Sequence, residues 1–290
     1  MSQEFAEVRI VDNFYQTSSF IPMPVVLVST FSASGAINLG PYSLCFPHYI
    51  AGAHEHAMML IARGSSNTAQ NILRTRVCSL NYIPDKKKYM KNCVMLGYPG
   101  ETTEEKMKKS IFTLIKTDAF GKPRNTQVCN AHPDIVKEAV QVFLCSWDET
   151  YPLQHNKERL EYHFLLKIDK IIMPKKWKEC LFTGRKFPPL PIDYGYRNNV
   201  RFWFSRHAEP YAIPIPREKG NTMDTVKYAC TRFDPAIQWK EEACARLLKV
   251  PAIFLNGMIE VIVAAAKEQG VSIITPQFID RLRDKRFNEI

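Results

Sequence analysis

The sequence predicts a mainly β protein with added helix: a closed or partly closed antiparallel barrel over most of the chain, then a small three-helix module. Three observations carry this. Runs of β-branched and aromatic residues, broken by turn residues and by many of the 19 prolines, crowd the first two thirds of the 290 residues. Few helical stretches fall between those runs, which favours antiparallel pairing over crossover connections. After about residue 220 the chain changes to helices with their own start and stop residues.

Pro24 to Phe31 reads as a buried strand, closed by the turn Ser32-Ala33-Ser34-Gly35, and Ala36 to Leu39 begins its return as a hairpin. Met58 to Ala62 is another apolar strand, ended by Arg63-Gly64-Ser65-Ser66-Asn67. Thr68 to Thr75 turns to helical spacing, with Ile72 and Leu73 as its apolar face and Ser66 or Asn67 as cap. Val77 to Ile83 alternates as a strand. Thr102 to Ile115 reads as a lysine-rich helix, and Ala139 to Trp147 and Glu161 to Ile172 as strands. Phe182 to Pro216, rich in proline and aromatics, reads as irregular chain. Asp234-Pro235 is expected to start a helix over Ala236 to Lys249. Pro251 starts a second, stopped by Gly270, and Thr275-Pro276 a third. The expected domains are 1–220 and 230–290, joined by the polar stretch around Arg217 to Thr222.

The net charge of +10 and pI near 9.1 suit anionic partners, a phosphorylated cofactor among them. The runs Lys86 to Lys88, Lys106 to Lys109 and Lys175 to Lys178 read as solvated charge, and no zinc finger or RNA-binding signature accompanies them, so no nucleic acid is expected. The eight cysteines lack CxxC spacing, and Cys45, Cys78, Cys145 and Cys244 sit in apolar contexts as small core residues. With no secretory leader pattern and no apolar run long enough to span a bilayer, a cytoplasmic protein without a membrane partner is expected.

Two segments can cradle a phosphorylated cofactor. Asn38-Leu39-Gly40-Pro41-Tyr42-Ser43-Leu44 offers backbone N–H groups, an amide and hydroxyls, with Gly40 permitting close approach. Ala62 to Thr68 leads from a strand end into a helix start, where free N–H groups favour a phosphate. Arg63 adds a bidentate cation, and Ser65, Ser66 and Thr68 add hydroxyls. The same residues also read as a Ser/Thr-rich turn with an ordinary helix cap. No Walker or dinucleotide glycine fingerprint competes.

PMPVVLVSTFSASGAINLGPYSLCF, LIARGSSNTAQNI and VCSLNYI, in that order, with Glu161-Tyr162-His163 further on, resemble the flavin reductase-like family of FMN-binding split barrels over residues of about 20 to 175. The resemblance implies a Greek-key split barrel and a homodimer with FMN near the subunit interface. Asn38, Tyr42, Ser43 and Leu44 would lie along the isoalloxazine. Arg63, Ser65, Ser66 and Thr68 would hold the phosphate, Asn71 would support that helix, and His163 would stand near the flavin or nicotinamide face. By itself, a histidine at a strand start is more often structural. Two departures stand out. Ile168-Asp169 replaces the family's usual Gly-Glu, which bears on a nicotinamide pocket. Ala51-Gly52-Ala53-His54-Glu55-His56 replaces an Asp-Pro-Pro; its histidines read as a polar loop rather than a metal site.

Trp239 to Pro251, with Glu260, Ala264 and Gly270 to Pro276, resembles the C-terminal segment of light-independent protochlorophyllide reductase subunits over residues of about 237 to 286. That implies a module docking onto a redox partner. The leading expectation is an NAD(P)H-dependent flavin reductase. The alternative is a flavin-binding electron-transfer protein, fed by a protein donor and lacking its own NAD(P)H site.

Overall fold

The computed structural model describes residues 5–50, 56–124, 128–151, 153–156, 161–183, 187–196, 201–206, 209–211, 213, 221–234 and 236–287. They form two compact units, Met1–Pro210 and Tyr211–Ile290. The polar loop with His54 and Glu55, and most of the stretch Arg217 to Thr222, lie outside the described residues.

The first unit opens with the short helix α1 (Phe14–Thr17) and the two-residue strand β1 (Met23–Pro24). The hairpin β2 (Val26–Phe31) and β3 (Ile37–Tyr42) follows, its turn made by Gly35 at φ 79°. The strand β4 (Cys45–Tyr49), which sequence reasoning missed, precedes β5 (Ala57–Arg63), helix α2 (Asn67–Thr75) and β6 (Val77–Tyr82). Helix α3 (Lys87–Gly97) was hidden by the lysines of its first turn, which oppose the helix dipole. Its cap Lys86 offers no side-chain acceptor, yet Tyr89, Met90, Cys93 and Leu96 are buried at helical spacing.

The helix expected over Thr102 to Ile115 is shorter. A reciprocal Thr102–Glu105 capping box starts α4 (Thr103–Lys108), and the chain then extends so that β7 (Leu114–Ile115) pairs with β8 (Ile135–Val136). Beyond lie β9 (Gln141–Trp147), β10 (Gln154–Asn156) and the twelve-residue β11 (Glu161–Ile172). Lys175 to Lys178 open a helix, α5 (Lys175–Thr183), rather than a loop. The segment expected to be irregular holds β12 (Ile192–Tyr196) and β13 (Phe202–Ser205), which form a small sheet with β1.

The main sheet runs β3-β2-β6-β9-β11-β5-β4, with β10 beside β11, and its pairings are antiparallel. Its two outer strands, β3 and β4, are joined by Ser43 and Leu44 alone. So short a link cannot span a flat seven-strand sheet, because each residue reaches at most about 3.6 Å. The sheet therefore curls into a half-barrel and brings its edges together at Ser43. Alternate residues feed two cores. Leu27, Leu39 and Leu144 pack with α3, while Val26, Val28, Leu80 and Phe164 pack with Ala69 and Ile72 of α2. Burial on both faces explains why β2 reads as a continuous apolar run.

The second unit contains α6 (Met223–Phe233), β14 (Gln238–Trp239), α7 (Glu241–Arg246), α8 (Ala252–Glu268), β15 (Ile273–Ile274) and α9 (Pro276–Phe287). Pro251, Gly270 at φ 66° and Thr275 bound the last two helices as their chemistry requires. Asp234 behaves differently from expectation. It ends α6, and its carboxylate accepts from Ala236 N in a local turn. The helix expected from residue 236 starts only at Glu241, because Gln238 and Trp239 pair in parallel with Ile273 and Ile274. Val226, Cys230, Leu247, Ile259, Val263 and Phe278 make a core of the unit's own.

Candidate functional site

The site lies where the sheet's two edges meet, beside the start of α2. Ser66 caps α2, its hydroxyl accepting from Ala69 N at 3.1 Å. The backbone N–H groups of Asn67 and Thr68 have no acceptor among the described residues. They stand at the positive end of the helix dipole. Tyr42 donates its phenol to Ser66 Oγ at 3.1 Å, which ties the end of β3 to this turn. Burial pushes the Tyr42 phenol up, against the Ser66 and Thr68 hydroxyls beside it, so it stays a neutral donor. Ser65 is exposed. Arg63, also exposed, forms no ion pair among the described residues.

Gly40 explains how β3 comes so close to α2. A Cβ there would stand 2.5 Å from Thr68 Oγ1 and 3.2 Å from a Tyr42 ring carbon. Asn38, one step along the same face, is 1% exposed. Its amide donates to Thr30 and Thr68, both at 3.4 Å, and its carbonyl accepts from Thr103 of α4 at 3.3 Å. Asn38 thus braces β3 against α2 and α4 from inside. Asn71 is buried as well, donating to Thr30 Oγ1 at 3.0 Å and accepting from Arg74 at 3.2 Å, and it fixes α2 to the sheet. Leu44 gives its carbonyl to Ile61 N, which seats the corner on β5.

Register places His163 opposite Ile61 and Glu161 opposite Arg63, so these four share one face of the sheet. His163 is half-buried. Sequence reasoning did not single out two contributors. Burial raises the Tyr15 phenol and the Asp193 carboxyl above their ordinary values, and the Ser43 hydroxyl opposes the rise in both. Tyr15 comes from α1, and Asp193 from β12, where it is 8% exposed and accepts from Gly195 N at 2.7 Å. Gly195, at φ 84°, faces Gln16 so closely that a Cβ would stand 2.3 Å from its side chain, which packs α1 against β12. Asp193-Tyr194-Gly195 carried a turn signal in the sequence; only the fold brings it to Ser43.

Asp169, the departure noted beside Ile168, is buried behind β9. It accepts from the Ser146 hydroxyl, pairs with Arg124 Nε at 2.9 Å and lies 3.3 Å from His132 Nε2. Among the described residues no group of three or more His, Cys, Asp or Glu is placed to hold a metal, and no helix is long and apolar enough to cross a membrane.

This architecture, a curled antiparallel half-barrel with a capped helix at its mouth, is a split barrel. Among solved structures the fold is shared with nitrilotriacetate monooxygenase component B from Bacillus cereus. That chain is 15% identical, with 72% of this chain and 100% of that one covered and a TM-score of 0.51. It is also shared with the 2-nitrobenzoate 2-nitroreductase of Pseudomonas fluorescens, 15% identical over 71% of this chain and 90% of that one, with a TM-score of 0.50. No family model and no curated protein matches the sequence. Nothing in these comparisons supports the resemblance of residues 237–286 to protochlorophyllide reductase subunits.

Proposed function

We propose that the first unit binds FMN, with its phosphate at the start of α2, and that the protein is an oxidoreductase of the flavin reductase type. One observation carries this reading. Two backbone N–H groups without an acceptor and an Arg63 without an ion pair among the described residues stand, with the hydroxyls of Ser65, Ser66 and Thr68, on the six residues from 63 to 68 that lead into one helix start. That donor set matches a single phosphate dianion. The sequence resemblance quoted above adds to it, and both solved neighbours have redox names.

Bound FMN would supply the chemistry by accepting a hydride and passing electrons on. The chain's part is to bind and orient. Arg63 and the α2 start hold the phosphate, Tyr42 and Ser43 set the corner, Leu44 lies along the ring, and His163 stands on the face shared with Arg63. Asn38 and Asn71 keep β3 and α2 in place behind them. We place the protein in the cytoplasm as a homodimer. The exposed Phe14 beside Tyr15 supports a partner chain at this end of the barrel.

A second reading, an electron-transfer protein fed by another protein, is favoured by one observation. Asp169 is already engaged by Ser146, Arg124 and His132, so its carboxylate is not free to receive a nicotinamide. In that reading the helical module docks a redox partner. Anaerobic addition of NADH or NADPH to the FMN-loaded protein separates the two. Bleaching of the flavin band supports the reductase. A band that neither nicotinamide bleaches, but a chemical reductant does, supports the carrier.

A further inference from the structure

Arg63 is the last residue of β5 and Glu161 the first of β11. The strands pair there in register, Glu161 opposite Arg63. Their side chains leave the same face, with Cβ atoms about 4.5–5.5 Å apart. Beyond Arg63 the chain turns at once, Ser66 N donating to Arg63 O at 3.0 Å. Such a turn keeps its two ends within about 7 Å, so Glu161 stands at the rim of the proposed phosphate site, one tight turn from the start of α2.

Opposite charges facing each other across a ladder commonly pair. Here neither Arg63 nor Glu161 forms an ion pair among the described residues, and neither does His163, two residues along the same face. Glu161 is half-buried, so its charge is neither neutralised by a partner nor fully given over to water. The other acids near the start of α2 are engaged. Asn67 donates to Glu101 O at 3.3 Å, which brings the start of α4 alongside. There Glu101 pairs with Lys109, Glu105 closes the capping box with Thr102, and Glu104 accepts from Ser34.

We propose that Glu161 sets the affinity of the site: its charge opposes the phosphate held by Arg63 and α2, and so keeps bound FMN exchangeable with free FMN. This rests on the FMN reading above. A phosphate monoester carries about −1.5 to −2 charge at neutral pH, and a fixed carboxylate at its rim repels it. The same carboxylate offsets part of the attraction that Arg63 exerts. Neither effect reaches the flavin ring, which is uncharged. Tyr15 shows that both charges are felt at this corner. Burial raises its phenol; Glu161 adds to that rise, and Arg63 opposes it.

Glu161→Gln removes the charge and keeps the size of the side chain. Wild type and variant are titrated with FMN and with riboflavin, which has the same ring and no phosphate, at low and at high salt. The variant should bind FMN about three- to ten-fold more tightly at low salt, and release it more slowly by the same factor in stopped flow. The gain should shrink toward wild type near about 0.5 M salt, where charges several ångströms apart are screened. Riboflavin should bind both proteins alike, which also reports that the variant is folded. An FMN constant unchanged or weaker in Glu161→Gln, or a riboflavin constant that moves as far as that of FMN, overturns this role for Glu161 and leaves the FMN reading intact. A wild-type protein that FMN does not saturate overturns both.

Discussion

At the scale of single residues, the site depends on small and polar side chains whose roles are mainly steric and directional. Gly40 is the sharpest case. A methyl group there would collide with Thr68 Oγ1 at 2.5 Å, and Thr68 is itself buried and branched, so relief requires α2 or β3 to move. Gly40→Ala should destabilise the first unit by about 1–3 kcal/mol, the usual cost of overfilling a packed contact. Urea denaturation followed by far-UV circular dichroism measures it, and an unchanged midpoint would mean that β3 and α2 are not in contact there. Asn38 shows how far the sequence could be read at this scale. An amide in a Gly-Pro-Tyr-Ser segment suggests a ligand contact, yet its three partners, Thr30, Thr68 and Thr103, come from three other elements. No local pattern announces such a brace.

At the scale of elements, α2 links stability to the site. Its cap, Ser66, serves two masters, the Ala69 N–H and the Tyr42 phenol. Ser66→Ala should cost about 1 kcal/mol through the lost cap. It should also release Tyr42, so FMN affinity falls together with the melting temperature. A variant that melts earlier but binds FMN as tightly as wild type would show that the cap serves the fold alone. The strands and helices that were legible, β2, β3, β5, α2, β6, β9 and β11, carry a continuous apolar run, an alternation, or a polar cap followed by an apolar face. The hidden ones lack such marks. α3 starts on lysines without a cap. β12 and β13 sit among prolines and gain their order from pairing with each other and with β1, contacts distant in sequence. Asp234 carried a helix-cap signal that a parallel pairing 35 residues away overrode.

At the scale of the whole molecule, the chain divides into two units with separate cores. The residues proposed to hold FMN all lie before residue 165. A chain ending at residue 210 should therefore stay folded and bind FMN with the full protein's affinity. Its soluble yield and flavin content check this, and a folded but flavin-free product would place part of the site in the helical unit. The docking role proposed for the second unit would use an apolar face. Phe254, Met258 and Val261 line the outer face of α8, while Leu255, Ile259 and Ile262 fill its core. The barrel's class was legible because both core faces, the hairpin turn and the helix start are written locally. The closure at Ser43, which brings Tyr15 and Asp193 to the site, follows only from the path of the whole sheet.

The central claim is that a phosphate sits at the start of α2, and one measurement meets it directly. Purified protein, stripped of any bound cofactor, is titrated with FMN by flavin fluorescence, in wild type, Arg63→Ala and Lys87→Ala. Lys87 is an exposed cation in the first turn of α3 and serves as the control. The account predicts saturation at one FMN per chain. It also predicts a dissociation constant raised about ten-fold or more in Arg63→Ala, as befits a charge-assisted bond of about 1.5–3 kcal/mol, with Lys87→Ala near wild type. A protein that FMN does not saturate, or equal constants for the two variants, would contradict it.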